Sequence, residues 1–143
     1  MRPNGPPLGL LLATTSKAVG RAFSAALAES GGSIPIWLIL NALKSEPRRT
    51  QAELARAVGI EGPTLTRHLD GMEEAGLVER QRGTLDRRAV QVELTRSGHV
   101  LHGRLLKAVI SFNQRLRTGL SGEDVETLRN LLGQLQDNVG EQA

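Results

Sequence analysis

The chain has 143 residues, a length that suits a single domain with one hydrophobic core. It has 18 Lys and Arg against 15 Asp and Glu, and no cysteine, which excludes disulfides, thiolate metal sites and thiol-based redox sensing. Two Phe, one Trp and no Tyr are too few for a protein that stacks several bases of a single strand. With no apolar run long enough to span a bilayer and no signal-peptide pattern, we expect a cytoplasmic protein.

The first third of the chain predicts a short arm and two helices. Residues 1–7 are rich in Pro and Gly and predict a flexible arm. Apolar residues then recur at helical spacing from Leu8 to about residue 30, where two glycines end the run. Ser33 opens a second helix, which ends before Pro47.

Two short helices follow in a helix-turn-helix order. The segment Thr50 to Glu53 has the pattern of a capping box, and the helix that it opens ends at Gly59. Pro63 lies in the first turn of the next helix. The buried face of that helix is predicted from three apolar residues spaced i, i+4 and i+7: Leu65, Leu69 and Met72.

The last part predicts a β-hairpin and two long helices. A strand from Leu77 to Arg82 is followed by Gly83 and by strictly alternating residues up to Leu94. Thr95 caps a long helix, and a second capping box at Ser121 opens the last one. The fold class is therefore mainly α with a small β-hairpin, arranged as a winged helix-turn-helix.

The helix after Pro63 is predicted to be a recognition helix. With its apolar face turned inward, Thr64, Arg67 and His68 lie on or beside the outward face. Hydroxyl and guanidinium groups can contact phosphates and base edges in the major groove, and the acids Glu73 and Glu74 lie at the far end. The alternative is an ordinary solvated helix, because short helix-turn-helix patterns also arise by chance.

Four arginines and one acid lie in the hairpin, which gives it a local charge of about +3. The net charge of the whole chain is also +3, so the positive charge is concentrated in the hairpin. They could form a solvated turn, but beside a recognition helix we favour a wing that grips the DNA backbone and the narrow minor groove. These residues are Arg80, Arg82, Asp86, Arg87 and Arg88.

The segments "TQAELARAVGI", "TLTRHLDGMEEAGLVER" and "LDRRAVQVELTRSG" resemble the MarR (multiple antibiotic resistance) family of regulators, over roughly Leu8 to Val139. The resemblance implies that Asp86 orients Arg88, which enters the minor groove, with Arg82 and Arg87 in the same wing. It also implies recognition-helix contacts from Thr64, Thr66, Arg67 and His68. Pro63 departs from the small polar residue usual in the family, which removes a possible amide contact to phosphate.

The resemblance further implies that the end helices, about 8–30 and 96–139, interlock into a two-fold dimer around a DNA-binding lobe of about 34–95, all within one domain of 8–143. Apolar helices at both chain ends favour the same arrangement. Many relatives bind a small aromatic or phenolic acid. Trp37 could line such a pocket, but a lone Trp in an apolar helix is more often core.

His99 and His102 are spaced i, i+3 and raise the alternative of a metal-responsive regulator. Two histidines without a third ligand favour two exposed side chains and no metal site.

The sequence predicts a dimeric, sequence-specific transcriptional regulator, a ligand-responsive repressor of a pseudo-palindromic operator, with double-stranded DNA and a second copy as partners and no cofactor. The alternative from another class is a winged-helix protein-interaction module, which should expose an apolar patch in place of the arginines. An enzyme is disfavoured, since the chain has no P-loop, HExxH, GxSxG or GxGxxG motif.

Overall fold

The computed structural model describes residues 4–82 and 89–140, and of Arg82 only the backbone. The described part is mainly helical with one small sheet, as predicted. Its elements are α1 (Leu8–Glu29), α2 (Ile34–Ser45), β1 (Arg49–Thr50), α3 (Gln51–Val58), α4 (Gly62–Glu74), β2 (Val78–Arg82), β3 (Val90–Leu94), α5 (Arg96–Leu116) and α6 (Gly122–Val139).

The sheet has three antiparallel strands in the order β1-β3-β2. The predicted hairpin of β2 and β3 is confirmed, with Val78 opposite Leu94 and Arg82 opposite Val90. The sequence did not predict β1, in which Arg49 lies opposite Val92. A strand of two residues is too short to show the alternation by which strands are recognised in a sequence. β1 forms because it pairs with the free edge of β3.

Side chains fix the starts of several helices, largely where the sequence placed them. The Ser33 hydroxyl accepts from the amide of Ile36 at 3.3 Å, and α6 has a complete capping box. At α3 the Thr50 hydroxyl accepts from the Glu53 amide at 3.1 Å. The Glu53 carboxylate, however, accepts from the same hydroxyl rather than from the Thr50 amide, so only half of this predicted box forms.

The chain divides into two compact units, residues 1–109 and 110–143. The first unit holds the hydrophobic core, to which α2 contributes Trp37 and three fully buried aliphatic residues. Leu65 and Leu69 of α4 are fully buried there and Met72 is nearly so. The predicted inner face of α4 is therefore confirmed, and so is the expectation that Trp37 belongs to the core.

The start of α5 is tied to the sheet within the first unit. The Thr95 hydroxyl accepts from the amide of Gly98 and donates to the carbonyl of Gly76. A Cβ at Gly98 would collide with the carbonyl oxygen of Leu77, so only glycine allows α5 to pass this close to the chain entering β2.

Each unit exposes large apolar side chains. In the first unit four of them lie at the start of α1: Leu8, Leu10, Leu11 and Leu12. In the second unit α6 has no buried residue, and its exposed apolar residues are Leu128, Leu131, Leu132 and Val139. In a single copy of the chain these side chains are exposed to water. Exposure of so many leucines is unfavourable in free energy.

Within the described residues, no single helix is long and apolar enough to cross a membrane; α1 and α2 pass that test only as a pair that is bent by 72°.

Candidate nucleic-acid interface

The exposed face of α4 presents the residues that the sequence assigned to DNA reading. Thr64 and Arg67 are exposed and His68 is half-buried. All three follow the N-terminus of the helix, where backbone amides and the helix dipole also favour phosphate. The opposite face is locked in the core, so rotation of the helix cannot exchange these residues for others.

Thr66 has a different position from its predicted neighbours. Its hydroxyl donates to the carbonyl of Gly62 at 3.0 Å and accepts from the Gln51 side-chain amide at 2.6 Å. Gln51 is the first residue of α3, so this bond joins the two helices of the helix-turn-helix. The hydroxyl of Thr66 is thereby engaged in holding α4 against α3.

The role of Gln51 could not be predicted from the sequence, because Gln51 and Thr66 lie on separate helices. A pattern along one helix reports its own faces but not which side chain of the next helix it meets.

Arg80 also differs from what the sequence suggested. Its position in the sequence groups it with the wing arginines, yet its guanidinium lies against α4, with Nη2 at 2.6 Å from Asp70 Oδ1 and 3.0 Å from Glu73 Oε1. Its backbone amide donates to Glu73 Oε2 at 3.1 Å. Only 19% of its side chain is exposed, so Arg80 ties β2 to the C-terminal half of α4 and is not presented to phosphate.

This network shifts the titration of both partners. Hydrogen bonds to Arg80, led by that of its side chain, hold the pKa of Glu73 below its usual value of 4.5. In return the Glu73 carboxylate, followed by Asp70, raises the pKa of Arg80. Asp70 and Glu73 thus have a structural partner in Arg80.

β2 ends at Arg82 and β3 begins at Val90, and these two residues pair across the base of the wing. The predicted wing residues Asp86, Arg87 and Arg88, and the side chain of Arg82, lie outside what the structure describes. Their assignments remain predictions.

A second cluster lies between α2 and α5, and we call its five residues the α2–α5 seam: Trp37, Asn41, Lys44, His99 and His102. The His102 ring stacks on the Trp37 indole, with centroids 5.2 Å apart and planes at 19°. Its Nε2 is 3.1 Å from Asn41 Oδ1, and Lys44 Nζ is 3.1 Å from His99 Nδ1. The expectation of two exposed histidines is wrong for His102, which is 6% exposed, because α2 covers that side of α5.

The metal alternative finds no support in this cluster. Each histidine faces a nitrogen or amide partner of α2, and within residues 4–82 and 89–140 no three His, Cys, Asp or Glu could hold a metal ion.

Two open cavities in the first unit are lined by described residues. One, of about 260 Å³, lies beside the Arg48–Glu93 ion pair and reaches His99. The other, of about 700 Å³, lies between the end of α1 and α5 and is lined in part by Glu29, Arg104 and Lys107. Trp37 lines neither of them, so its place in an effector pocket remains a prediction.

A two-helix unit with an exposed N-terminal face on its second helix, followed by a β-hairpin, defines a winged helix-turn-helix DNA-binding protein. Residues 35–89 match the family model described as "MarR family". This match, together with the fold, supports a DNA-binding winged-helix transcriptional regulator of the MarR family.

Solved structures agree with this assignment. A mutant of MarR from E. coli in complex with operator DNA is 27% identical with a TM-score of 0.82, covering 90% of this chain and 93% of that one. The repressor CouR bound to a 23-mer DNA duplex is 28% identical with a TM-score of 0.83, covering 90% and 92%. The PcaV regulator from Streptomyces coelicolor, at 23% identity, a TM-score of 0.83 and coverage of 93% and 97%, shares the fold.

The Arg80 network makes a testable contribution to stability. Because the folded pKa of Glu73 lies below 4.5, its contribution is present above that pH and is lost as pH falls through the folded value. We expect Glu73→Gln to be less stable than wild type near neutral pH, and the difference to shrink in acid. Urea unfolding near neutral pH and in acid measures this difference in the free energy of unfolding.

The control is Glu74→Gln, which removes the same charge from the next residue of the same helix but from outside this network. A Glu73→Gln variant that behaves like Glu74→Gln at every pH would show that the network does not stabilise the fold.

Proposed function

We propose that this regulator is a homodimeric repressor that binds a pseudo-palindromic operator, with one α4 helix in each of two major grooves. The observation that carries this proposal is the exposed N-terminal half of α4, with Thr64 and Arg67 directed away from the core. Two neighbours of similar fold, MarR from E. coli and CouR, are described as bound to operator DNA and to a DNA duplex.

Within each half-site we assign different roles to helix and wing. Arg67 reaches base edges or phosphates, Thr64 contacts the backbone, and His68 lies at the edge of the contact. Thr66 supports this surface from behind through Gln51. The wing supplies Arg82, Arg87 and Arg88, with Asp86 orienting Arg88 for the minor groove.

The polar character of the exposed α4 face argues against a protein-interaction module. Such a module needs a contiguous apolar patch at this position. The described face has Thr64, Arg67 and Asp70 exposed instead.

The arginine contacts predict a large loss of affinity on truncation. Each contact is made once per subunit and therefore twice per dimer. A hydrogen bond to a charged group contributes about 1.5–3 kcal/mol, so the two losses together cost at least about 3 kcal/mol. Arg67→Ala and Arg88→Ala should therefore each weaken operator binding by about a hundredfold or more. Fluorescence anisotropy over a range of salt concentrations should also give a flatter salt dependence, because fewer counterions are released.

Arg104→Ala is the matched control: it removes the same side chain from the exposed surface of α5 and should bind the operator like wild type. Equal affinity of Arg88→Ala and wild type at matched salt would refute the wing contact. The same result for Arg67→Ala would refute the helix contact.

The dimer is inferred from apolar surface that nothing covers within one copy. α6 is an 18-residue helix without a single buried residue, and amphipathic helices in proteins derive most of their stability from packing of the apolar face. The first turns of α1 expose four leucines in the same way. A second copy offers an equal apolar surface related by a two-fold axis, the commonest symmetry of soluble oligomers.

We expect wild type to sediment at micromolar concentration with twice the chain mass of 15.4 kDa. Leu131→Asp should shift the equilibrium to monomer, because it places a charge on a side chain that is 58% exposed in one copy and buried in the dimer. It should weaken operator binding at the same time.

Asn130→Asp adds the same charge to the neighbouring exposed position and should leave the dimer intact. A wild-type monomer that binds the operator with full affinity would contradict the proposal.

We further infer that a small aromatic carboxylate releases the operator. The 700 Å³ cavity supports this, because it is large enough for such a ligand and has Arg104 and Lys107 in its lining.

We expect 4-hydroxybenzoate or a related acid, titrated into the operator complex, to lower wild-type affinity. Arg104→Ala should raise the concentration required by about tenfold or more. If a panel of aromatic acids has no effect while Zn²⁺ releases the DNA, the metal-responsive alternative replaces this proposal.

A further inference from the structure

The α2–α5 seam contains a buried ionisable group that DNA reading does not use. His102 is the one buried polar side chain among the residues that the structure describes. Its ring is held on one face by Trp37 and at its edge by Asn41 Oδ1. Since Oδ1 accepts, the proton of the neutral ring lies on Nε2, and this bond fixes the tautomer.

The surroundings of His102 favour the neutral ring. Burial lowers the pKa of His102 below 6.5, and the charges of Lys44 on α2 and His99 on α5 lower it further. These are the described charged groups that act on the ring from the two helices packed around it, and both are basic. A protonated His102 would place a buried cation in the seam, and no carboxylate among the described residues acts on it.

The seam joins parts of the molecule with different tasks. α2 packs against α3 and α4, the two helices of the helix-turn-helix. α5 continues beyond the seam to Leu116, in the unit that includes α6. Any loosening between α2 and α5 therefore changes the support behind the recognition helix.

We propose that His102 is a proton-sensitive latch between α2 and α5, and that acidification below neutral pH opens it and releases this regulator from its operator. The release part rests on the operator binding proposed above. Protonation of His102 is more favourable in the open seam, because water and not Trp37 then surrounds the ring. Proton binding and opening of the seam therefore favour each other.

The direction of the effect follows from linkage. The ring has an ordinary pKa near 6.5 when exposed and a lower one in the closed seam. The stabilisation from the closed seam is thus complete above about pH 6.5 and is lost as pH falls towards the pKa of the closed state.

The chain contains its own probe, because Trp37 is the only tryptophan and lies against the ring. A protonated imidazole quenches a stacked indole, so Trp37 fluorescence of the full chain should fall with acid, with a midpoint below 6.5. His102→Gln, which keeps an amide donor for Asn41, should abolish this transition. His99→Gln should keep it and move its midpoint upward, since a neighbouring positive charge is gone.

Operator affinity is then measured at about pH 7.5 and about pH 5.5 at matched salt, the range over which histidine titrates. Wild type should bind at least about fivefold more weakly in acid, within the usual range of coupling between sites. His102→Gln should not show this loss. Asn41→Asp places a carboxylate against the ring and should move both the fluorescence and the affinity midpoints of the full chain to higher pH.

The latch is overturned if His102→Gln loses affinity in acid as wild type does, or if the wild-type fluorescence and affinity midpoints differ. Should His102→Gln not fold, the coincidence of the two wild-type midpoints and their joint shift in Asn41→Asp decide the matter. If wild type binds no operator even at neutral pH, the proposed function fails. The fluorescence transition, and a pH-dependent loss of thermal stability absent from His102→Gln, then test the latch separately.

Discussion

Burial of one face of α4 is the constraint on which the rest of the molecule depends. Leu65 and Leu69 have no exposed surface, so the helix cannot turn about its axis without emptying the core. That single constraint determines which residues face outward. Two polar links then complete the position of the helix: Gln51 holds its N-terminal half through Thr66, and Arg80 holds its C-terminal half to β2. Recognition helix, preceding helix and wing base thus form one supported surface.

The α2–α5 seam shares the helix α2 with the core that supports α4. α2 contributes Leu40 and Leu43 to the core that holds α4, and Trp37 and Asn41 to the contact with His102. Aliphatic packing is insensitive to pH, whereas a buried imidazole among basic neighbours is not. The same helix therefore combines an aliphatic contact with α4 and a titratable contact with α5, and the proposed latch uses α2 to relate pH to DNA binding.

The sequence predicted what depends on local patterns. Helix ends marked by Ser33, Gly59 and Ser121, and the inner face of α4, all follow from spacing along one element. What it missed are contacts between elements. β1 is too short to show a period and needs β3 to exist. Arg80 belongs by sequence to the wing, but the carboxylates that bind it lie on a different element. Likewise, no spacing along α5 shows that α2 buries His102 and leaves His99 exposed.

The proposed dimer would place two α4 helices in successive major grooves of one duplex. Hydroxyl-radical footprinting on an operator selected from random DNA would show this arrangement. We expect two protected half-sites related by a two-fold axis, with centres separated by about one helical turn, or about 10 base pairs, or by a multiple of that distance. A single asymmetric protected segment, unchanged as protein concentration rises, would contradict it.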